Sequence, residues 1–133
     1  MIILNRIKKN ILNKLLFIDG NDIHQMYTGM VFRRLGVKVD YIVETTNAME
    51  TYSKGGYDLI LIDLDEHRNT GFDISLQIRE FDSQIPIIGI TDLAEIGIMF
   101  KALSHGMNYC VERTSLLETL NDCFDLRLTK DVA

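Results

Sequence analysis

The sequence predicts one α/β domain in which a parallel β-sheet is covered by helices on both faces. Short apolar runs alternate along the chain with amphipathic segments, and the connections between them are short. Strands and helices that alternate in this way form βαβ units, whose parallel strands require helical crossovers. The length of 133 residues and the hydrophobic content of 47% fit one domain with a buried core.

The first two predicted strands enclose an amphipathic helix. Residues 15–18 form an apolar run that ends in a turn cluster at 19–22. Apolar residues then recur at helical spacing up to Gly36, which is expected to stop the helix. The residues expected to form its core face are Ile23, Tyr27, Met30 and Val31. Residues 37–43 are predicted to form the second strand.

A short helix, a buried strand and a longer helix follow. Residues 47–54 are predicted to be helical, with Gly55 and Gly56 closing the helix. Residues 59–62 are apolar at every position, which is typical of a central parallel strand, and Asp63 ends that strand. The next helix is indicated by an apolar face of Ile74, Ile78 and Phe81.

The last third of the chain adds two strands and two helices. A proline precedes the strand predicted at 87–90, a position where proline is tolerated. A fourth helix is predicted to end at Gly106, and residues 109–112 to form the fifth strand. The face of the fourth helix expected to be buried consists of Ile96, Met99, Phe100, Leu103 and Met107. A Ser-x-x-Glu capping box at 115–118 predicts a fifth helix through Leu128.

Composition and charge argue against several classes of function. The net charge of −5 disfavours general nucleic-acid binding. No apolar run is long enough to span a membrane, and the start of the chain does not resemble a signal peptide. Cys110 and Cys123 lack the CxxC spacing of zinc and redox motifs, and two cysteines argue against a disulfide framework. A reduced, cytoplasmic location is therefore expected. Phosphate-binding and dinucleotide-binding glycine patterns are absent from the sequence.

The predicted domain covers residues 14–128, after a basic extension at 1–13 and before a tail at 129–133. Residues 1–14 hold four basic residues and no acid, whereas the rest of the chain is acidic. The extension is therefore either solvated or bound to the acidic body or to a second copy of the chain. An edge strand, a packed helix and an extended segment all remain open for it.

Four polar residues are expected to meet at the carboxyl edge of the predicted sheet. Asp19, Asp63, Thr91 and Arg113 each follow a predicted strand, and ligands of open α/β sheets bind at this edge. Converging carboxylates invite a cation, while a hydroxyl and a guanidinium suit an anionic phosphoryl group. The simpler interpretation is that Asp and Thr end strands because they cap the following helices.

The order of these pieces resembles the receiver domain of two-component response regulators, the CheY-like domain. The matching segments are 17–21, 58–64, 71–72, 86–91 and 106–113. They resemble an acidic turn, a phosphoacceptor strand, a following Gly-Phe pair, a strand with a switch hydroxyl and a strand ending in a basic residue. The resemblance implies a flavodoxin-like five-stranded parallel sheet in the order 2-1-3-4-5.

The resemblance also implies a chemistry for this edge. Asp63 would accept a phosphoryl group from a histidine kinase, a phosphotransfer protein or a small phosphodonor. Mg²⁺ would lie between Asp63 and Asp19, and Thr91 and the basic residue would contact the phosphoryl oxygens. The fourth helix, the fifth strand and the fifth helix would then change their partner-binding surface.

The acidic turn departs from the family pattern. Gly20 occupies the place of a second acid that ligates the metal in the family, which should weaken Mg²⁺ binding. Asp22 or Asp65 could substitute as a ligand. The simpler interpretations are a cap of the first helix for Asp22 and a solvated loop acid for Asp65.

Two further departures concern the residues that would contact a phosphoryl group. Arg113 replaces a lysine, and its planar guanidinium could pair bidentately with Asp63. The bond from Arg113 to Thr114 is predicted to be trans, since a cis bond before a residue other than proline costs about 3 kcal/mol. Asp92 follows Thr91 and would repel a phosphoryl group, although capping of the fourth helix together with Glu95 is the simpler interpretation.

The sequence therefore predicts an atypical receiver, or pseudo-receiver, that acts through protein–protein contacts. Phosphorylation of Asp63 is expected to be weak or absent, Mg²⁺ binding is doubtful, and no enzymatic activity beyond self-catalysed phosphoryl transfer is expected. The alternative is a fully competent Mg²⁺-dependent phosphoacceptor, and a third hypothesis is a small-molecule-binding module on the same fold. Expected partners are a histidine kinase, a phosphotransfer protein, a downstream protein or a second copy, and not nucleic acid or membrane.

Candidate contact residues lie on two helices. Ile98 is expected to be exposed on the fourth helix and to serve an interface, and Arg33 and Arg34 on the first helix could dock a kinase or phosphotransfer protein. His24 and His67 fall near the carboxyl edge, where with Asp19 or Asp63 they could bind a transition metal. A surface histidine is the commoner explanation for both.

Overall fold

A computed structural model describes residues 9–18, 21–65 and 68–126. In chain order its elements are β1 (Asn10–Ile11), β2 (Lys14–Ile18), α1 (Asp22–Arg34), β3 (Lys38–Ile42), α2 (Ala48–Ser53), β4 (Leu59–Asp63), α3 (Arg68–Phe81), β5 (Ile87–Thr91), α4 (Ile96–Ser104), β6 (Tyr109–Glu112), α5 (Leu116–Cys123) and β7 (Phe124–Asp125). Short 3-10 turns at Thr45–Asn47 and Arg113–Ser115 precede α2 and α5.

Five of these strands form one parallel sheet in the order β3-β2-β4-β5-β6. This is the 2-1-3-4-5 order that the resemblance implied, counted from the first strand of the main sheet. Successive side chains of β4 enter two separate apolar clusters, because neighbouring residues of a strand point to opposite faces. One cluster includes residues of α2, α3 and α4, and the other includes residues of α1 and α5. The predicted fold class is confirmed.

The two ends of the described chain meet in a small second sheet. β1 pairs in parallel with β7, with Asn10 opposite Phe124. Lys9 Nζ donates to the backbone carbonyl of Asn121 at 2.9 Å. Because β7 begins at Phe124, the fifth helix ends at Cys123. The prediction of a helix through Leu128 is therefore wrong over 124–126. Residues 1–8 and 127–133 lie outside the described residues, so the boundaries of the extension and the tail stay predictions.

The expected core faces of α1 and α4 are wrong, because both helices bury the opposite stripe. On α1 the side chains of Ile23, Tyr27 and Met30 are exposed, whereas Thr28 and Phe32 are buried. The hydroxyl of Thr28 donates to the carbonyl of His24 within the helix. Burial of this polar side chain therefore leaves no unmet hydrogen bond.

On α4, only Ile98 and Ala102 are buried, and Ile98 is 9% exposed. The residues expected in the core, Ile96, Met99, Phe100 and Leu103, are exposed instead, and Phe81 at the end of α3 is exposed as well. Ile98 is therefore a core residue, and the hypothesis that it forms an exposed interface is wrong.

The helix caps also differ from the sequence interpretation. Asn21, and not Asp22, caps α1, because its side chain accepts from the backbone N–H groups of Ile23 and His24. Ser115 makes no side-chain cap bond, since a 3-10 turn leads into α5 in place of a capping box. In the described segments all peptide bonds are trans, as predicted for the bond to Thr114. None of the helices described is long and apolar enough to cross a membrane.

Candidate functional site

The carboxyl ends of three adjacent strands bring together Asp63, Thr91 and Arg113. Asp63 is the last residue of β4 and Thr91 the last residue of β5, and Arg113 directly follows β6. Asp63 is 0% exposed and Thr91 is 1% exposed. These three of the four predicted edge residues therefore meet at one place. Asp19, the fourth, lies outside the described residues.

The Asp63 carboxylate is bonded through both of its oxygens. Arg113 Nη2 donates to Asp63 Oδ2 at 2.6 Å, and the backbone N–H of Asp65 donates to Oδ1 at 2.8 Å. His24 Nδ1 lies 3.4 Å from Oδ2. A buried carboxylate requires such partners, because an uncompensated buried charge is costly.

The expected bidentate pairing of Arg113 with Asp63 is wrong, although the ion pair itself is present. Arg113 Nε donates to Asp92 Oδ1 at 3.0 Å, so the guanidinium joins two carboxylates. This contact also corrects the interpretation of Asp92 as a cap, since α4 begins after Glu95 without a side-chain cap bond. The Arg113 side chain is 19% exposed.

The pKa of Arg113 is raised above its ordinary value. Burial by itself would lower the pKa, but the hydrogen bonds and charges of Asp63 and Asp92 outweigh it. Arg113 is therefore a permanent cation at the centre of the site.

Asp65 is a bonded member of the site and not a solvated loop acid. Thr91 Oγ1 donates to Asp65 Oδ1 at 2.6 Å, and the backbone N–H of Asp92 donates to Asp65 Oδ2 at 2.8 Å. Arg113 Nη2 lies 3.6 Å from Asp65 Oδ2. Three carboxylates, those of Asp63, Asp65 and Asp92, thus surround one guanidinium.

The oxygens of Asp63 and Asp65 accept hydrogen bonds from protein donors in this arrangement. Mg²⁺ takes octahedral oxygen ligands, so an ion at these carboxylates would share their oxygens with those donors. Within 9–18, 21–65 and 68–126, no group of three or more His, Cys, Asp or Glu residues is placed to hold a metal. Asp19 and Gly20 lie outside the described residues, and the side chain of Asp22 is not described.

Of the two histidines predicted as possible transition-metal ligands, His24 lies in the described part of the chain. His24 lies at the edge of the sheet beside Asp63, as predicted from its position in the sequence. His67 falls outside the described residues. The transition-metal hypothesis gains no ligand set from the described part of the chain.

An exposed apolar stripe on α1 is the main feature that sequence reasoning assigned wrongly. Ile23, Met26, Tyr27 and Met30 are exposed at helical spacing, with Ile23 76% exposed, and we call these four residues the α1 stripe. Arg33 and Arg34 follow in the last turn and are also exposed. The spacing was visible in the sequence, but spacing alone does not distinguish a stripe that faces the core from one that faces solvent.

A groove that includes Tyr27 of the α1 stripe reaches the charged site. It has a volume of about 320 Å³ and lies between α1 and the start of α5. Tyr27 and Val31 line it on one side, Leu116 and Leu117 on the other, and Asp92 and Arg113 lie at its polar end. A partner that covers Tyr27 would therefore lie beside the groove that also contains Arg113 and Asp92.

The fold and the site define a class of protein. A parallel five-stranded sheet carries a buried aspartate on its central strand, and the next two strand ends supply a hydroxyl and a cation. This is the arrangement of the CheY-like signalling domain that the sequence resembles.

The chain belongs to the response regulator receiver domain family, whose family model matches residues 15–124. This confirms the resemblance and the predicted role in two-component signal transduction. Helices on both faces of the sheet fit the same family.

Two curated relatives illustrate the similarity. The chain is 29% identical over 106 residues to the sensor protein EvgS of Escherichia coli strain K12, covering 80% of this chain and 9% of EvgS. It is also 29% identical over 106 residues to the two-component response regulator 24 of Arabidopsis thaliana, covering 79% of this chain and 76% of that protein. The chain thus spans only a small part of EvgS.

Solved structures of receivers share the fold. The chemotaxis protein CheY4 of Vibrio cholerae superposes with a TM-score of 0.76 at 18% identity, covering 85% of this chain and 99% of CheY4. The receiver domain of Ssk1 from Saccharomyces cerevisiae, solved in complex with the histidine phosphotransfer protein Ypd1, superposes with a TM-score of 0.75 at 21% identity. That match covers 96% of this chain and 97% of the other.

Proposed function

We propose that this chain is an atypical receiver that signals through protein–protein contacts, with weak or absent phosphorylation of Asp63. The observation that carries the proposal is the 2.6 Å contact between Arg113 Nη2 and Asp63 Oδ2. The carboxylate that would attack a phosphodonor is buried and bonded to a permanent cation. Attack through Oδ2 requires this contact to rearrange, which adds to the barrier of the reaction.

The charge around Asp63 supports the same conclusion. A phosphoryl group brings further negative charge to a site that already holds the three carboxylates of Asp63, Asp65 and Asp92. Arg113 is the cation whose contacts with all three are described, and its side chain is shared among them. Repulsion between the phosphoryl group and these carboxylates disfavours the modified state.

We assign Mg²⁺ a weak role at most. Gly20 replaces the second acid of the family pattern, and the bonded oxygens of Asp63 and Asp65 support this assignment. We assign no enzymatic activity beyond self-catalysed phosphoryl transfer to Asp63. The free thiols of Cys110 and Cys123 support a reducing, cytoplasmic location.

The first test is an amide NMR titration with Mg²⁺ and then with beryllofluoride, a mimic of the aspartyl phosphoryl group. The proposal expects small or no shifts at Asp63 and Thr91. Gly20→Asp is the matched variant, and it should gain a Mg²⁺ response because it restores the carboxylate. Strong shifts that reach Thr91 and α4 in the unmodified chain would establish the alternative, a fully competent phosphoacceptor.

The partner that we propose is a histidine-containing phosphotransfer protein or histidine kinase, which docks on the α1 stripe. An exposed apolar stripe followed by Arg33 and Arg34 suits a partner with an apolar centre and acidic edge. The groove that leads from this stripe to Arg113 and Asp92 supports the same placement. The Ypd1–Ssk1 complex provides an example of a receiver with a partner of this kind.

The docking proposal is tested by charge substitution on two exposed apolar faces. Met26→Glu on α1 should weaken binding of a phosphotransfer protein in calorimetry by about tenfold or more, since it places an acid in an apolar contact. Phe100→Glu on α4 is the matched control and should leave that binding unchanged. A loss confined to Phe100→Glu would assign the docking face to α4 instead, and an equal loss in both variants would contradict docking on the α1 stripe alone.

A further inference from the structure

Asp65 holds a set of donors that a phosphoryl group would otherwise use. It lies two residues after Asp63, and its carboxylate reaches across to the end of β5. There it accepts the Thr91 hydroxyl at 2.6 Å and the Asp92 backbone N–H at 2.8 Å. The Arg113 guanidinium lies 3.6 Å away. One carboxylate thus contacts a hydroxyl, an amide and a cation.

We propose that the Asp65 carboxylate acts as an internal substitute for the phosphoryl oxygens and holds Thr91 in its engaged position while Asp63 is unmodified. In the receiver family, the hydroxyl at the end of this strand and the basic residue of the next strand contact the phosphoryl group. Here the same hydroxyl donates to Asp65, while the cation bonds Asp63 and Asp92 and lies 3.6 Å from Asp65. This inference rests on the proposed function, because it explains how a weakly phosphorylated receiver still positions its switch residue.

The hydrogen bond from Thr91 to Asp65 is short enough, and Thr91 buried enough, for Asp65 to take the place of a phosphoryl oxygen as acceptor. Thr91 is buried, so its hydroxyl requires an acceptor. A hydroxyl-to-carboxylate bond of 2.6 Å lies in the short range of charge-assisted hydrogen bonds. The competing acceptor for the Thr91 hydroxyl, the carbonyl of Leu93, is farther away at 3.3 Å, while the Leu93 backbone N–H donates to Thr91 Oγ1 at 3.3 Å. Asp65 is therefore the acceptor that orients the side chain.

The position of Asp65 also opposes the binding of a phosphoryl group at Asp63. A phosphoryl group on Asp63 would have to displace the Asp65 carboxylate from Thr91 and from the Asp92 amide, and would meet its charge. Asp65 therefore has two effects at once, since it orients the switch hydroxyl and opposes modification of Asp63.

The experiment is an NMR comparison of the unmodified chain with Asp65→Ala. The Hα–Hβ coupling of Thr91 reports whether its side chain holds one rotamer, and hydrogen exchange of the Asp92 amide reports its bond to Asp65. We expect a single Thr91 rotamer in the unmodified chain, averaging in Asp65→Ala, and amide exchange faster by about tenfold or more, which corresponds to about 1.4 kcal/mol.

Glu112→Ala is the matched control, because it removes one nearby carboxylate without touching the contacts of Asp65. Glu112 lies beside Thr91 in the sheet and approaches the Ala94 amide at 3.4 Å. The control should retain the Thr91 rotamer and slow Asp92 exchange. If Thr91 keeps one rotamer in Asp65→Ala, or if both variants change equally, the role of Asp65 is overturned.

A beryllofluoride titration with Mg²⁺, applied to the unmodified chain and to Asp65→Ala, separates this inference from the proposed function. Affinity at least about tenfold higher in Asp65→Ala supports displacement of Asp65. Equal affinity in both proteins overturns the opposing effect of Asp65. If neither protein responds while Thr91 loses its rotamer, the inference stands and the fully competent alternative is rejected.

Discussion

The two edges of the sheet use similar charged residues in opposite ways. At the amino edge, Lys14 and Asp40 form a pair at 3.6 Å between partly exposed side chains, and Tyr57 donates to Asp40 at 2.7 Å. At the carboxyl edge, Arg113 is shared among three carboxylates, one of them fully buried. The amino edge is balanced and tied to neighbouring strands, whereas the carboxyl edge concentrates negative charge.

This difference shows which edge is built for structure and which is available for regulation. Asp58 at the amino edge accepts the backbone N–H groups of Asn13 and Lys14, so it fixes the start of β2. At the carboxyl edge, the Oδ2 atom of Asp63 is bonded to the side chain of Arg113, which a partner or ligand could displace. Side-chain contacts are more easily exchanged than backbone bonds that begin a central strand.

The largest effect is expected from breaking the carboxyl-edge ion pair. Arg113→Met leaves the buried Asp63 without its cation and should lower the free energy of unfolding by about 3 kcal/mol or more. Urea denaturation measures this change. The double variant Asp63→Leu with Arg113→Met should recover most of the loss, because the buried carboxylate is removed together with its cation and the carboxylates that remain, Asp65 and Asp92, are 28% and 68% exposed. A double variant as unstable as the single one would contradict the ion-pair explanation.

A smaller loss is expected from the structural aspartate of the amino edge. Asp58→Ala removes the acceptor of the Asn13 and Lys14 amides and should cost about 2 kcal/mol in urea denaturation. The Mg²⁺ and beryllofluoride behaviour should be unchanged, because Asp58 is at the opposite edge. Any change in that behaviour would mean that the two edges are coupled.

The amino edge also predicts a dependence of stability on alkaline pH. The pKa of Tyr57 is raised above its ordinary value of 10.0, by burial first and then by the hydrogen bond to Asp40. The folded chain therefore keeps a proton that the unfolded chain releases near pH 10, so stability should fall as pH rises above about 10. Tyr57→Phe should show a shallower fall in urea denaturation between pH 9 and about 11. Parallel curves for the two proteins would argue against this origin.

The smallest effect is expected at the exposed ion pair. Lys14→Met removes the pair with Asp40 and the contact of the ammonium with the Tyr57 ring. Both side chains are partly exposed, so the free energy of unfolding should change by about 0 to 1 kcal/mol. Thermal unfolding in low and high salt measures it. A loss as large as that of Arg113→Met would remove the distinction between the two edges.

Much of the site could be predicted because it follows from the order of the strands. Asp63, Thr91 and Arg113 each end or follow an apolar run, and a parallel sheet brings those ends to one edge. The contacts of Asp65 and Asp92 could not be predicted in the same way. Both lie in loops, where the direction of a side chain depends on backbone turns and on donors from other strands.

The sequence by itself determined the fold class and placed Asp63, Thr91 and Arg113 at the ends of strands, because apolar periodicity and turn residues act locally. The order of the strands followed from the resemblance to receiver domains. Only the tertiary structure decided which stripes of α1 and α4 face the sheet, and that α5 gives way to β7 at Cys123. Periodicity reveals that a helix has an apolar stripe, but other elements decide whether that stripe is covered. The same reason applies to Arg113, whose guanidinium takes its orientation from carboxylates on two other segments.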